Sequence, residues 1–199
     1  MKKLRQIAAL VRNFGTLRHA LSTLAGLYSG DGAFDALGGL TGAETEALCR
    51  WAAESGLDVA EIGTLFGMTA RELAAALPEG RKVTAIDNFS WNPFGLPPRA
   101  HEEFARRILK REIASGRVEL RKASALEFLE SAGPGVFVFL DGDHRREAVR
   151  AEIEAARASG TKFIAGHDWG NPLFGVTEAV RETLGEPDET AGMCWLKRL

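Results

Sequence analysis

The chain has 199 residues, 45% of them hydrophobic and 26% charged, with a formal net charge of −2. That is the size and composition of one soluble domain with a sizeable core. The near-neutral balance gives no global drive towards nucleic acid. Its 2 cysteines are too few for a disulfide framework and fit a reducing cytoplasm. No apolar run reaches the roughly 18 residues that a membrane span needs.

Charge is spread unevenly, with +5 on residues 1–30 and −7 on the remainder. Residues 1–27 are basic and acid-free, as targeting segments are, but Arg12 and Asn13 interrupt any apolar centre. That disfavours a secretory signal and leaves an organelle presequence as the targeting alternative. Nothing is expected to have been removed ahead of Met1. Leu4, Ile7, Val11, Phe14, Leu17, Leu21 and Leu24 recur at helical spacing. Such a stripe packs on the domain or on a second copy, so a homodimer through this helix is expected. A basic helix lying on a membrane surface is the alternative. The glycines between positions 28 and 40 mark a connector. The domain expectation is therefore an N-terminal helical extension and connector over 1–40, then one domain over 41–199.

Thr41 with Glu44 three residues on forms a capping box, which predicts a helix from there to about Ser55, ended by Gly56. From Leu57 onward strands and helices alternate. Strands are predicted near 57–62, 82–87, 117–121, 135–140, 161–166 and 192–197, with helices near 68–77, 98–115, 124–131, 144–158 and 174–184. Val136-Phe137-Val138-Phe139-Leu140 is continuously apolar, as a strand covered on both faces is. The pattern is α/β: a mostly parallel sheet with helices on both faces, and ligands at the carboxyl ends of the strands.

The motifs fall at those ends. Glu61-Ile62-Gly63-Thr64-Leu65-Phe66-Gly67 is a strand-to-helix turn, and Asp87 ends the next strand. A dinucleotide turn would place glycine where Leu65 stands, so that backbone could approach a pyrophosphate. Its lack argues against NAD(P) and a sugar-modifying oxidoreductase. A turn with no phosphate to hold, Glu61 for an ammonium and Asp87 for a ribose diol describe S-adenosylmethionine instead.

Two acidic strand ends follow, Asp141-Gly142-Asp143-His144 and Gly166-His167-Asp168-Trp169. Methyl transfer to a hydroxyl needs alignment and proton removal, by a general base or with a divalent cation. Asp141, Asp143 and Asp168 could supply the oxygen ligands of Mg2+. His144, titrating near neutral pH, is the candidate base. Asp143 equally suits a helix cap, His144 a first-turn polar residue and His167 a structural role. A zinc site from the two histidines and the acids lacks a spacing signature. Between Asp87 and the next helix, the aromatic and proline-rich loop from Asn88 to Pro98 could cover the sulfonium, with Trp169 and Phe174 lining the same pocket. His19 and His101 are expected on helix surfaces. Trp51, Trp195 and Cys194 are expected in the core.

Residues 57–199 resemble a class I S-adenosylmethionine-dependent methyltransferase, and most of all the macrocin and rhamnosyl O-methyltransferase group. The matching blocks are Glu61-Ile62-Gly63-Thr64 with Gly67, Ala85-Ile86-Asp87-Asn88-Phe89, and Asp141-Gly142-Asp143-His144 with Glu147-Ala148-Val149. Gly166-His167-Asp168-Trp169 and Gly175-Val176 with Ala179-Val180 complete them. The first 56 residues carry no match. The resemblance implies a Rossmann-like methyltransferase fold, with Glu61, Gly63, Thr64 and Gly67 at the methionine end. It implies Asp87 and Asn88 at the ribose, Ser124 near adenine, and Asp141 facing both cofactor and acceptor.

Catechol-type relatives place one acid after the fourth strand and an Asp-Asn pair after the fifth, with a lysine three residues beyond the first acid. Here His144 stands in place of that lysine and His167-Asp168 in place of the pair. The third metal ligand is thereby open among Asp143, His167 and Asn171. The expected activity is O-methylation of a small hydroxylated acceptor, a sugar or glycosylated natural product, in the cytoplasm. A non-catalytic S-adenosylmethionine-binding subunit is the alternative from another class.

Overall fold

A computed structural model describes residues 40–91 and 98–199. The expected N-terminal helix, the connector and the middle of the aromatic loop lie outside the described residues. The elements in chain order are α1 (Gly42–Ser55), β1 (Asp58–Ile62), α2 (Met68–Ala76), β2 (Val83–Asp87), α3 (Pro98–Ile108), α4 (Lys110–Ala114) and β3 (Val118–Lys122). They continue with α5 (Ala125–Leu129), β4 (Val136–Leu140), α6 (Arg146–Ala158), β5 (Phe163–Gly166), α7 (Val176–Leu184), β6 (Glu189–Ala191) and β7 (Cys194–Arg198).

The strands form one seven-stranded sheet in the order β3-β2-β1-β4-β5-β7-β6. β1 to β5 pair in parallel, whereas β7 runs antiparallel to both β5 and β6. Strand order reverses between β1 and β4, and a crevice opens there beyond their carboxyl ends, as expected for a doubly wound sheet.

Alternation along each strand feeds two cores. Val59, Phe137, Phe139, Ala165 and Leu196 face the side covered by α1 and α2. Ala60, Ile62, Val138, Leu140, Ile164 and Trp195 face the side covered by α6 and α7. β4, covered on both faces, is therefore apolar at every position, which is why 136–140 reads as an unbroken run. Phe137 and Phe139 are fully buried, and truncating either to Ala would cost about 3–5 kcal/mol. Trp51, Trp195 and Cys194 are buried as expected.

α1 begins and ends where its sequence signals lie. The Thr41 side chain accepts from the Glu44 N–H, the Glu44 carboxylate accepts from the Thr41 N–H at 2.8 Å, and Gly56 closes the helix. Two predicted elements come out differently. The single helix over 98–115 is divided at Leu109, which is fully buried and leaves helical geometry for one residue. The last strand is half of a hairpin: β6, three partly exposed residues, is too short to show an alternating pattern. No described helix is long and apolar enough to cross a membrane.

Candidate active site

The cofactor side of the crevice is built by backbone. β1 ends at Ile62, and Gly63 follows at φ 90°. A Cβ on Gly63 would stand 2.3 Å from the carbonyl oxygen of Asp141, so only glycine lets the turn after β1 pass the end of β4. Leu65, in the place of the missing glycine, also adopts a left-handed conformation, φ 49°. It is held there by Asp87, whose Oδ2 accepts from the Leu65 N–H at 2.9 Å. Asp87 Oδ1 accepts from the N–H of Phe89 at 2.6 Å, and Phe89 too is left-handed, φ 55°. One carboxylate thus ties both turns, after β1 and after β2, against strain of order 1–3 kcal/mol per residue.

Gly63, Thr64, Asp87, Asn88 and Asp141 line a crevice of about 910 Å³. Asn88 closes a small turn by accepting from the Ser90 N–H at 2.8 Å. Gly67 precedes α2 and does not line the crevice. Two other expected cofactor residues lie elsewhere. Ser124 is exposed, makes no cap bond and is skipped by the lining, which takes Ala123 and Ala125 on either side. Glu61 is 1% exposed and sits beneath the turn, because strand alternation sends it to the face of Val59, under α2. There it is bonded to the Thr64 side chain and the Ala70 backbone. Its Oε2 is buried without a hydrogen-bond partner. Burial, with the Asp141 and Asp87 charges nearby, pushes its carboxyl well above the ordinary range.

His101 overturns a second expectation. It is 1% exposed rather than on the surface. Its Nε2 lies 2.8 Å from the Leu65 carbonyl oxygen, and its ring packs on Phe66 and Phe89 at 4.9 and 5.0 Å between centroids. Burial pulls its imidazole below the usual value. His101, Ala105 and Ile108 form one buried helical face, a spacing present in the sequence. Of the aromatic loop, Phe89 is fully buried and Trp91 is 66% exposed at the crevice.

The opposite wall is built from side chains after β4 and β5. Asp141, His167 and Asp168 each bring a potential ligand atom, all within 4.8 Å of one another. His167 Nδ1 is 3.8 Å from Asp141 and 3.6 Å from Asp168. Burial pushes Asp141 up to about 7; the His167 charge opposes this, and the Asp168 and Glu44 charges add to it. For His167 burial alone would lower the imidazole, but Asp168, Asp141 and Glu44 together raise it to about 9. Two carboxylates and an imidazole converging in a half-buried site form a donor set that fits a divalent cation.

Asp143 is not part of this group. Its Oδ1 accepts from the Arg145 N–H at 3.0 Å, and both its oxygens pair with the Arg145 guanidinium. It caps no helix either, since Arg145 is the residue before α6. Asn171 donates to Asp168 Oδ1 at 2.8 Å and so supports an acid. Asp168 itself is left-handed, φ 62°, and 5% exposed.

His144 Nδ1 lies 3.2 Å from Asp168 Oδ2, and its ring stacks on Phe174 with centroids 4.6 Å apart. Burial lowers its imidazole, although the Asp168 and Asp143 charges work against it. Phe174 and Leu173 line the crevice as well, Leu173 being 84% exposed. Trp169 instead packs on the core beneath the Arg181 guanidinium, 5.2 Å from its ring.

Two acids drew no site expectation from the sequence. Glu152, on α6, is 6% exposed with an unpartnered Oε2, and burial first, then Asp143, pushes it up to about 8. Glu44, on α1, reaches His167. The apolar helix neighbours of Glu152 gave a signal for burial but none for its carboxyl.

A model of the methyltransferase domain family matches residues 60–168, just over half of the chain. No curated protein matches significantly. Solved structures do. An O-methyltransferase from Bacillus cereus in complex with S-adenosylhomocysteine is 21% identical, with 82% of this chain and 75% of that one covered and a TM-score of 0.58. The O-methyltransferase TomG from Streptomyces achromogenes, involved in tomaymycin synthesis and solved with S-adenosylmethionine, is 19% identical (81% and 75% covered, TM-score 0.56). CalS11, a TDP-rhamnose 3'-O-methyltransferase of calicheamicin biosynthesis, is 20% identical (77% and 76% covered, TM-score 0.54). These likenesses are to the fold: a parallel sheet with its crevice at the β1/β4 switch. With the family match over the strands that carry the crevice, the chain belongs to the class I S-adenosylmethionine-dependent methyltransferases.

Proposed function

We propose that this methyltransferase acts on a hydroxyl of a small polyhydroxylated acceptor, a sugar or a glycosylated natural product. The observation that carries the reading is the His144 imidazole, held at Nδ1 by Asp168 and stacked on Phe174 at the crevice wall. A hydroxyl is a poor nucleophile until its proton leaves, and a neutral imidazole suits that task. S-adenosylmethionine, when bound, supplies a methyl on a sulfonium for in-line displacement by the acceptor oxygen, with S-adenosylhomocysteine as leaving group. His144 takes the acceptor's proton, and Asp168 stabilises the imidazolium that forms.

Asp87 meets the ribose with the lone pairs left over from its two N–H bonds. Gly63, Thr64 and Asn88 form the surrounding wall. Asp141, whose N–H bonds the Ile62 carbonyl at the β1 end, takes the ammonium role expected of Glu61. Asp141, Asp168 and His167 would hold a divalent cation, which would supply the Lewis acidity that lowers the acceptor hydroxyl's pKa. The two carboxylates suit Mg2+ and the imidazole suits Mn2+ as well.

The ordered sequence blocks and the likeness to CalS11, which bears a sugar acceptor in its name, support a sugar hydroxyl. The free Cys49 and Cys194 support a cytoplasmic site of action. The apolar stripe on residues 4–24 is our candidate surface for a homodimer.

Thermal-shift series with S-adenosylhomocysteine, NAD and Mg2+, followed by transfer assays on a panel of sugars, test the reading. His144→Gln should slow transfer about 100-fold or more while S-adenosylhomocysteine affinity changes little. Stabilisation by NAD, with none by S-adenosylhomocysteine, would favour an oxidoreductase and sink the proposal. Tight S-adenosylhomocysteine binding without transfer to any acceptor would favour a non-catalytic subunit.

A further inference from the structure

Glu44 lies outside the stretch matched by the family, on a helix with an ordinary local reason for its presence. That reason uses only one of its oxygens. Oε2 accepts from the N–H and the hydroxyl of Thr41, each at 2.8 Å, and so completes the capping box. Oε1 points inward. It accepts from the Met193 N–H at 2.8 Å and stands 3.5 Å from His167 Nε2. A capping-box Glu is ordinarily solvated, but this one is 3% exposed. Gly192, in the β6–β7 turn, presses so close that a Cβ there would lie 2.5 Å from Oε1.

His167 is pinned at its backbone on both sides. Its N–H donates to the Leu140 carbonyl at 3.1 Å, and its carbonyl accepts from the Trp195 indole at 3.3 Å. What the backbone leaves free is the ring: which nitrogen faces which neighbour. Nε2 is buried and has no hydrogen bond of ordinary length, and Glu44 Oε1 is its ionic partner. Nδ1 is thereby the nitrogen presented to Asp141 and Asp168.

We infer that Glu44 is a positioning residue of the reaction centre: its Oε1 fixes the orientation of the His167 ring, so that α1 completes a site whose other parts follow β4 and β5. A carboxylate behind an imidazole is a known way to aim the nitrogen on its far side. The inference rests on the proposed reaction centre for its meaning, but its test does not need the reaction.

The test is long-range 1H–15N correlation of the histidine rings in the full chain, with His167 assigned by the signals lost in His167→Gln. Glu44→Gln, which can still accept from Thr41, should displace the His167 ring signals. Gly192→Ala, which crowds Oε1 from the other side, should displace them as well, and it keeps the test open if Glu44→Gln does not fold. Thr41→Ala is the control, because it removes the cap partner and leaves the Glu44–His167 pair. It should lower Tm with the His167 signals in place. His167 signals unmoved by Glu44→Gln or Gly192→Ala, or moved equally by Thr41→Ala, would overturn the inference. Failure of the wild-type chain to bind S-adenosylhomocysteine would instead strike the cofactor reading and leave the His167 result standing.

Discussion

The two walls of the crevice are held by different physics. On the β1/β2 side the decisive features are backbone conformations: Gly63 at φ 90°, with Leu65 and Phe89 left-handed and both tied to Asp87. On the β4/β5 side they are charged side chains that crowd one another, with Asp141 and His167 displaced far from their ordinary titration ranges. A backbone-built wall is rigid and tolerates little change of shape, whereas a charge-built wall is tuned by each partner in turn. The first suits recognition of a constant cofactor, and the second suits proton and charge handling during a reaction.

Substitutions on the two walls should therefore fail in different currencies, and the largest effect is expected in rate. His144→Gln should cut transfer by 10²–10⁴-fold and leave S-adenosylhomocysteine binding near wild type in calorimetric titration. Parallel losses in both would erase the contrast between the walls. Gly63→Ala should strike the other way. With a left-handed backbone and a Cβ 2.3 Å from the Asp141 carbonyl, it should lose about 3 kcal/mol in denaturant unfolding and most cofactor affinity.

Asp87→Ala comes next. It should abolish the Tm gain that S-adenosylhomocysteine gives and also destabilise the unliganded chain by about 1–3 kcal/mol in denaturant unfolding, as two turns lose their tie. A full ligand-induced gain in that variant would refute the ribose role.

The smallest effects are in pH dependence. His144 has its imidazole lowered by burial, so transfer should be on its plateau at neutral pH, with its acid limb below the ordinary histidine range. A limb above pH 7 that disappears in His144→Gln would contradict this assignment. Glu152 shifts the other way: burial holds its folded carboxyl at about 8 against an ordinary 4.5. The folded state thus binds the proton more tightly, and stability should fall as pH rises from about 4.5 to 8. Glu152→Gln should remove that slope, stabilising the chain by about 1–2 kcal/mol at pH 8 and by little at pH 4.5. Equal Tm differences at both pH values would count against the buried charge.

What could be read from the sequence follows the same division. Local signals carried the α1 capping box, the unbroken apolar run of β4 and the glycine turn, because each depends on residues a few positions apart. The three-residue β6 was too short for a period, and a left-handed Leu65 has no residue-level mark. Glu61 shows the limit of a motif: its place in the turn suggested an ammonium ligand, but strand alternation directs it under α2. Asp143 was drawn off by Arg145, two residues away, a pairing that the acid-rich strand end concealed. Glu44 joins His167 across more than 120 residues, and only the sheet order brings α1 and β5 together. His101 was legible in principle, from its spacing with Ala105 and Ile108.

The double tie made by Asp87 has a consequence for ligand capture. Since both its oxygens are already fastened to peptide N–H groups, the carboxylate has almost no rotational freedom to surrender when a sugar diol arrives. The nucleoside end should therefore dock onto a prepared surface and associate quickly, with selectivity expressed in how slowly it departs.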